Sequence, residues 1–357
     1  MLSLCSHNMV TNKNKRLGEF MGMKQNTSKR VDRRNFLRCL GSAWTAPFLG
    51  GWQVAKAQPG TRIILLGTQG GPNFNLARGE TATLLLVDDR PYLIDCGYGT
   101  MTALQKIGVN YLTVPDIFLT HLHDDHIADL ASLLSHQWTQ GRVKMTRIHG
   151  PYGTDNVVEG IMTFGAANAD IRFVDEGRSI RMPTRFEAQV VAATDSPQVI
   201  FEDDRVRVSS IENSHFPDWA KAEMAHRSLS YRFDTADRSV VFSGDTTYSE
   251  NLITLARGAD VLVTEVIEPV LTRQWFEEVV IAGNYQDNPE NIWTHILETH
   301  LKTEDAGRIA EAANVDTLVL HHLLPGNLRE VGNEVYLEGI RRHFAGKVIV
   351  GHDLLEI

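Results

Sequence analysis

The sequence predicts an α/β protein built as a four-layer αββα sandwich, two mixed β-sheets packed face to face with helices outside. Three observations lead there. Strand-like runs fall into two batches along the chain. Each batch closes with helix–strand pairs. No Pro/Gly/Ser-rich linker divides residues 61–357, so this stretch reads as one domain large enough to bury an extensive core. The composition of the 357-residue chain, 43% hydrophobic and 22% charged, excludes a disordered, collagen-like or disulfide-framework protein. No apolar run reaches the ~18 residues of a membrane span.

The N-terminus reads as an address. Arg33 and Arg34 precede Asn35, Phe36 and Leu37, an apolar stretch with Leu40, Trp44, Phe48 and Leu49 follows, and Ala55-Lys56-Ala57 forms a small-x-small cleavage site. This order predicts a twin-arginine-type bacterial signal peptide over residues 1–57, translation starting at Met1, Met21 or Met23, and a mature chain of 58–357. The expected location is periplasmic or secreted, and the export machinery is an expected partner. The segment carries ten of the 35 Lys/Arg and two of the 44 Asp/Glu. The remainder therefore holds 25 basic against 42 acidic residues, a net charge of −17. Such a surface repels phosphate backbones, so no nucleic-acid partner is expected. Cys5 and Cys39 leave with the leader. Cys96 alone remains, reads as a small buried residue and can form no intramolecular disulfide. Cys39 precedes the apolar stretch, which argues against a lipid anchor.

Residues 61–67, 80–87 and 91–95 read as strands joined by tight turns, an antiparallel start. Residues 101–107 read as a helix and 116–120 as a buried strand. Leu130, Leu133, Leu134 and Trp138 recur at helical spacing. Strands are expected at 171–174, 189–192, 206–211, 229–233 and 239–243. Helices are expected at 249–257 and 304–313, each beside a strand at 260–264 or 316–320, and the chain closes with a strand at 347–350.

Residues 120–126 read Thr-His-Leu-His-Asp-Asp-His. His121, His123, Asp125 and His126 thus lie within six residues, between a buried strand and a helix. Imidazole and carboxylate are the ligands of zinc and similar divalent ions. Asp124 reads as a surface residue. Four ligands are too few for two metals. Further candidates end apolar strands: His215, Asp245, and the adjacent His321 and His322.

On these motifs, from about residue 62 to 352, the chain resembles the metallo-β-lactamase fold superfamily. Gly-Pro-Tyr-Gly-Thr at 150–154, Thr-Glu-Val at 264–266 and His-Leu-Lys-Thr-Glu-Asp-Ala-Gly at 300–307 place the resemblance in the ribonuclease Z and exported arylsulfatase branch. It implies that His121, His123 and His215 hold one divalent ion, zinc first among candidates, and that Asp125, His126 and His322 hold a second. Asp245 would bridge the two with a water or hydroxide that attacks the substrate. Asp95, in Asp-Cys-Gly, would support the metal loop. It further implies that Glu265 orients His300, which protonates the leaving group. The family's Leu-Thr-His becomes Leu320-His321-His322 here, so His321 competes with His322 for the second metal.

The remaining histidines have blander readings. His136 is expected at the surface and His149 as support for the fold. His226, His295 and His343 have no partner motif. His352 and Asp353 are expected near the metal ligands. Residues 266–299, with Trp275, Phe276, Tyr285, Trp293, Asn284, Asn288 and Asn291, read as an aromatic, uncharged lid, and Phe216 and Trp219 as its facing wall. The expected function is an exported dinuclear metallo-hydrolase of small sulfate or phosphate esters. The alternatives are lactone or β-lactam hydrolysis, ribonuclease Z-like RNA processing, and metal binding without catalysis. Homodimers occur in the resembled branch, and the oligomeric state stays open.

Overall fold

The computed structural model describes residues 59–71, 77–281, 288–326 and 332–357. The expected leader, Tyr285 and Asn284 lie outside them. The first sheet holds β1 (Thr61–Gly67), β2 (Ala82–Val87), β3 (Arg90–Ile94), β4 (Asp116–Phe118), β5 (Thr146–Gly150) and β6 (Phe186–Val190), in that order. The second holds β7 (Gln198–Glu202), β8 (Arg207–Glu212), β9 (Leu229–Asp234), β10 (Ser239–Phe242), β11 (Val261–Ile267), β12 (Thr317–Leu324) and β13 (Lys347–Val350), again in order. Each sheet starts antiparallel and turns parallel, at β3–β4 and at β10–β11, so both are mixed. Asp88 and Asp89 both take positive φ, 45° and 64°, the handedness a two-residue hairpin turn needs to match strand twist.

The strand period of two explains the layers. In β1, Ile63 and Leu65 face the second sheet and, with Phe118 of β4, join Val208, Phe233, Phe242 and Val263 in a buried inter-sheet core. Ile64 and Leu66 point the other way. They meet α1 (Thr100–Lys106), α3 (Leu130–Thr139) and α4 (Thr154–Asp175) through Leu104, Leu133, Trp138 and Ile161. Strands covered on both faces read as continuous apolar runs, which is why Ile-Ile-Leu-Leu in β1 shows no alternation in sequence. The second sheet is covered in turn by α6 (Glu250–Ala256), α9 (Thr303–Ala313) and α10 (Glu334–Arg341). The tight α9–α10 contact needs Gly307, because a Cβ there would come within 2.6 Å of the Ile340 carbonyl oxygen.

One expected element is of the wrong type. Residues 171–174 end α4 rather than forming a strand. Ile-Arg-Phe-Val favours a strand locally, but Val158, Ile161 and Gly165 bury one helical face upstream. Arg172 then extends the helix by bonding Asn168 and pairing with Glu176 at i±4. Strands β5 and β7, five residues each, lie outside the runs expected from the sequence.

Phe118 is fully buried, stacked on His149 at 4.6 Å and edge-on to Phe201, Tyr231 and Phe233. Phe118→Ala is expected to lower unfolding free energy by about 3–5 kcal/mol in urea denaturation.

Candidate metal centre

The remaining helices are α2 (Asp124–Ile127), α5 (Asp218–Glu223), α7 (Pro269–Trp275) and α8 (Pro289–Thr299). His121 and His123 follow β4, and Asp125 and His126 sit on α2. His215 lies between β8 and α5, and Asp245 follows β10. Glu265 is in β11, His300 follows α8, and His322 is in β12. The C-terminal ends of parallel strands from both sheets therefore meet at one edge, where α/β folds assemble ligand sites.

The donors form two adjoining groups. His121, His123 and His215 make one, and Asp125, His126, Asp245 and His322 the other, with donor atoms of each group within 4.8 Å of one another. His123 Nδ1 lies 3.0 Å from His121 Nε2 and 3.3 Å from His215 Nε2. His322 Nε2 lies 3.2 Å from an oxygen of both Asp125 and Asp245. Asp245 Oδ2 also comes within 3.7 Å of His121 Nε2, so its carboxylate faces both groups.

Neighbouring groups fix which ring nitrogens are bare. His215 Nδ1–H donates to the Thr299 carbonyl at 2.9 Å, leaving Nε2 as a lone pair toward the site. His126 Nδ1–H donates to Asp95 at 2.9 Å, which turns its Nε2 toward Asp125 and Asp245. Asp95 is held in place by the Thr120 N–H at 2.8 Å and by the Thr120 hydroxyl. This is the support role expected of Asp95. Gly71 donates its N–H to Asp125 at 2.9 Å, and a Cβ at Gly71 would lie 2.1 Å from the Asp125 Cβ, so no other residue fits that approach.

The electrostatics follow from burial. His121, His126 and His215 are fully buried, and Asp125, Asp245 and His322 nearly so. Burial, with the neighbouring imidazoles, pushes His121 and His215 well below the usual imidazole range, so they are neutral donors. Burial opposes charge on His126 and His322 too, but Asp245 and Asp125 outweigh it and hold both well above that range. Asp125 and Asp245 are held far below ordinary carboxylates, their burial outweighed by the same imidazoles. Buried His126 Nε2 and Asp245 Oδ1, 3.3 Å apart, make no well-formed hydrogen bond. Orphaned polar atoms of this kind destabilise a fold unless a further group satisfies them. Converging lone pairs of three neutral imidazoles, beside two carboxylates, suit a divalent cation of the zinc type.

The competition between His321 and His322 is decided by a bulge. Thr264 pairs with Leu320 but Val266 with Leu323, which adds one residue to β12, and His322 takes φ 45°. His322 thereby turns into the acidic group. His321 is buried outside it, pushed down to about 3 by burial and by His322, its Nδ1 without a partner.

Glu265 and His300 pair as expected. His300 Nδ1–H donates to Glu265 at 2.8 Å, and Glu265 also accepts from the Thr246 N–H. Burial raises Glu265. Burial opposes His300's charge, but Glu265 outweighs it and raises the ring above its ordinary value. His300 Nδ1 stands 3.7 Å from Asp245, so the pair adjoins the metal ligands.

A cavity of ≈ 680 Å³ opens beside His123. Phe216, Trp219 and Asn291 line it as expected, but Trp275, Phe276 and Trp293 do not. Phe276 is fully buried and packs with Trp293 and Arg273. The wall is not uncharged either, since Glu223, Arg227 and Glu298 face it. Sequence reasoning missed His295. Its ring stands 5.8–5.9 Å from His123, His215 and His300 and lines the same cavity, and burial with those neighbours pushes it down to about 4. Only helical register from His300 could have placed it. His352 is exposed and its ring donates to the Asp353 carbonyl, while Asp353 accepts from Thr68 and Gly79, so among the described residues neither side chain is seen to bond a metal-ligating side chain. His136 is exposed, and His149 supports the fold through Asp116 and Phe118.

Two packed mixed sheets with a histidine–carboxylate cluster at one edge define a metal-binding hydrolase of the metallo-β-lactamase fold. The family model for Anti-Pycsar protein Apyc1 matches residues 61–267. Ribonuclease Z of Mycobacterium avium (strain 104) is 30% identical over 298 residues, covering 82% of this chain and 96% of that protein. The chain belongs to the family that this model describes and to the ribonuclease Z branch of the metallo-β-lactamase superfamily. Two solved structures share the fold. Human tRNase Z, short form, aligns at TM-score 0.56 with 19% identity over 83% of this chain and 98% of its own. Zn2+-bound PqqB from Methylobacterium extorquens aligns at 0.53 with 16% identity over 83% and 99%.

Asp95→Asn keeps the shape but can hold His126 in the wrong tautomer. The variant is expected to bind zinc about 10–100-fold more weakly in chelator competition, whereas His321→Asn is expected to bind it as the unaltered protein does.

Proposed function

We propose that the chain is a dinuclear metal-dependent hydrolase of small phosphate or sulfate esters, with phosphate esters first. The observation that carries this is the Glu265–His300 pair beside Asp245. A lactam or lactone ring opens without such a proton donor more readily than an ester with a poor leaving group. In this reading His121, His123 and His215 hold one ion, Asp125, His126 and His322 a second, and Asp245 both. Two divalent cations, when bound, make water nucleophilic near neutral pH and offset charge on ester oxygens. Zinc is the first ion to load, given the ligand set and the zinc of PqqB.

The chain's own residues supply the rest. Asp95 and the Thr299 carbonyl fix the imidazoles of His126 and His215, and the buried ligands exclude bulk water. Glu265 holds the proton at His300 Nδ1 and keeps the ring cationic, so that it donates a proton to the departing oxygen.

A second reading, hydrolysis of RNA, is favoured by the ribonuclease Z relatives. Against it stand the acidic net charge of −9 for the whole chain and a cavity sized for a small ligand. The periplasmic or secreted location belongs to this proposal as well. Residues 1–57 fused to a reporter should reach the periplasm, and should fail to in a host lacking twin-arginine translocation.

A panel of zinc-loaded assays decides among these readings. Turnover of bis-p-nitrophenyl phosphate or p-nitrophenyl sulfate, with none of a tRNA precursor, nitrocefin or a lactone, supports the proposal, and the reverse pattern overturns it. His300→Ala is expected to keep both metals. It should lose about 10²–10⁴-fold in kcat on alkyl esters, whose leaving groups need protonation, and far less on p-nitrophenyl esters.

A further inference from the structure

His215 lies past the end of β8, on the loop that leads to α5. The Thr299 carbonyl turns its ring, but a ring is only as well placed as the backbone that carries it. That backbone hangs on a neighbouring side chain, Asn213.

Asn213 is 4% exposed, and both ends of its carboxamide are used. Nδ2 donates to the Ser243 carbonyl at 2.8 Å and to Ser230 Oγ at 3.4 Å. Oδ1 accepts the His215 N–H at 3.2 Å. A carbonyl only accepts and a backbone N–H only donates, so these partners fix which end of the amide is which. The other end of the same peptide unit is held as well, since the Thr247 hydroxyl donates to the Ser214 carbonyl at 3.2 Å.

The two segments that Asn213 joins differ in firmness. Ser243 follows β10, and its N–H donates to the Val263 carbonyl of β11 at 3.0 Å. The next residue, Gly244, takes φ 60°, and a Cβ there would come within 2.8 Å of the Thr120 Cβ. The segment that carries Asp245 is therefore clamped by β11 and by Thr120 without Asn213. The His215 segment has no strand pairing of its own and borrows its position from that clamp through the carboxamide.

We propose that Asn213 is a positioning residue for the metal centre. Its carboxamide ties the His215 backbone to the end of β10 and so sets the three-histidine group before an ion arrives. The inference rests on the two-ion reading above. It carries an asymmetry: loss of Asn213 displaces His215 and leaves Asp125, His126 and His322 where they are.

Chelator competition on the zinc-loaded full chain tests this. The unaltered protein is expected to give up its two ions in two steps, and His215→Ala marks the step that belongs to the three-histidine group. Asn213→Ala is expected to weaken that step about 10–100-fold and the other less than ~2-fold. Asn213→Leu, which fills the space with an apolar group of similar size, is expected to do the same and serves if the alanine variant does not fold. In the His215→Ala background, Asn213→Ala is expected to change binding less than ~2-fold further, because a residue that acts through a ligand then has nothing to act on. Equal weakening of both steps, no weakening, or a full additional loss in the double variant overturns the proposal and leaves the two-ion reading standing.

Backbone hydrogen exchange of the metal-free full chain is the second measurement. In the unaltered protein the His215 N–H is expected to exchange at least about 100-fold more slowly than in an unstructured peptide, and to lose that protection in Asn213→Leu. An unprotected His215 N–H, or one equally protected in the variant, overturns the proposal. Uptake of one zinc or none overturns the two-ion reading, and the exchange measurement then decides by itself whether Asn213 holds His215.

Discussion

Two carboxylates, Asp125 and Asp245, sit almost without solvent between imidazoles at the edge where the two sheets meet. Burying like charges in so small a volume is unfavourable unless positive charge sits among them. Without a metal that charge is carried by protons on His126 and His322, and with one it is carried by the cations. The rest of the site follows from this constraint. The other imidazole set, His121, His123 and His215, is neutral because nothing acidic lies close enough to outweigh its burial. Asp95, the Thr299 carbonyl and Gly71 are placed where they decide which atoms point inward.

The fold's contribution is convergence. Strands β4, β10, β11 and β12 belong to different sheets, yet all deliver a residue to one edge at or near their C-terminal ends. The inter-sheet core around Phe118, Tyr231 and Phe233 sets the distance between the sheets. A change there is transmitted to both donor groups, because interiors packed to this density do not yield smoothly. Helix α8 joins three roles in one element. It walls the cavity, orients His215 through Thr299 and delivers His300 to Glu265. An occupant pressing on α8 therefore touches both the metal ligands and the proton donor.

Much of this was legible in the sequence where the information is local. The His121–His126 run is contiguous, and His215 and Asp245 each follow an apolar strand, so the strand ends alone point to one edge. The apolar runs of β1, β2 and β11 likewise located doubly covered strands. What could not be read depends on register or on distant packing. His321 and His322 differ by one position, and only a bulge with a positive φ decides which ring faces inward. His295 and Glu298 enter the cavity through the path of α8, which no local motif encodes. Residues 171–174 misled because strand propensity over four residues yields to a helix already anchored by Val158 and Ile161. The charged wall of the cavity was hidden because Glu223 and Arg227 lie apart in sequence from the aromatic residues they join.

The central claim is that the buried cluster is a two-metal centre. Anomalous diffraction at the zinc edge, from crystals of zinc-loaded protein, tests it most directly. The account predicts two peaks ~3.5–4 Å apart, one among His121, His123 and His215 and the other among Asp125, His126 and His322, with Asp245 reaching both. A single peak, or peaks only at surface residues, would contradict it.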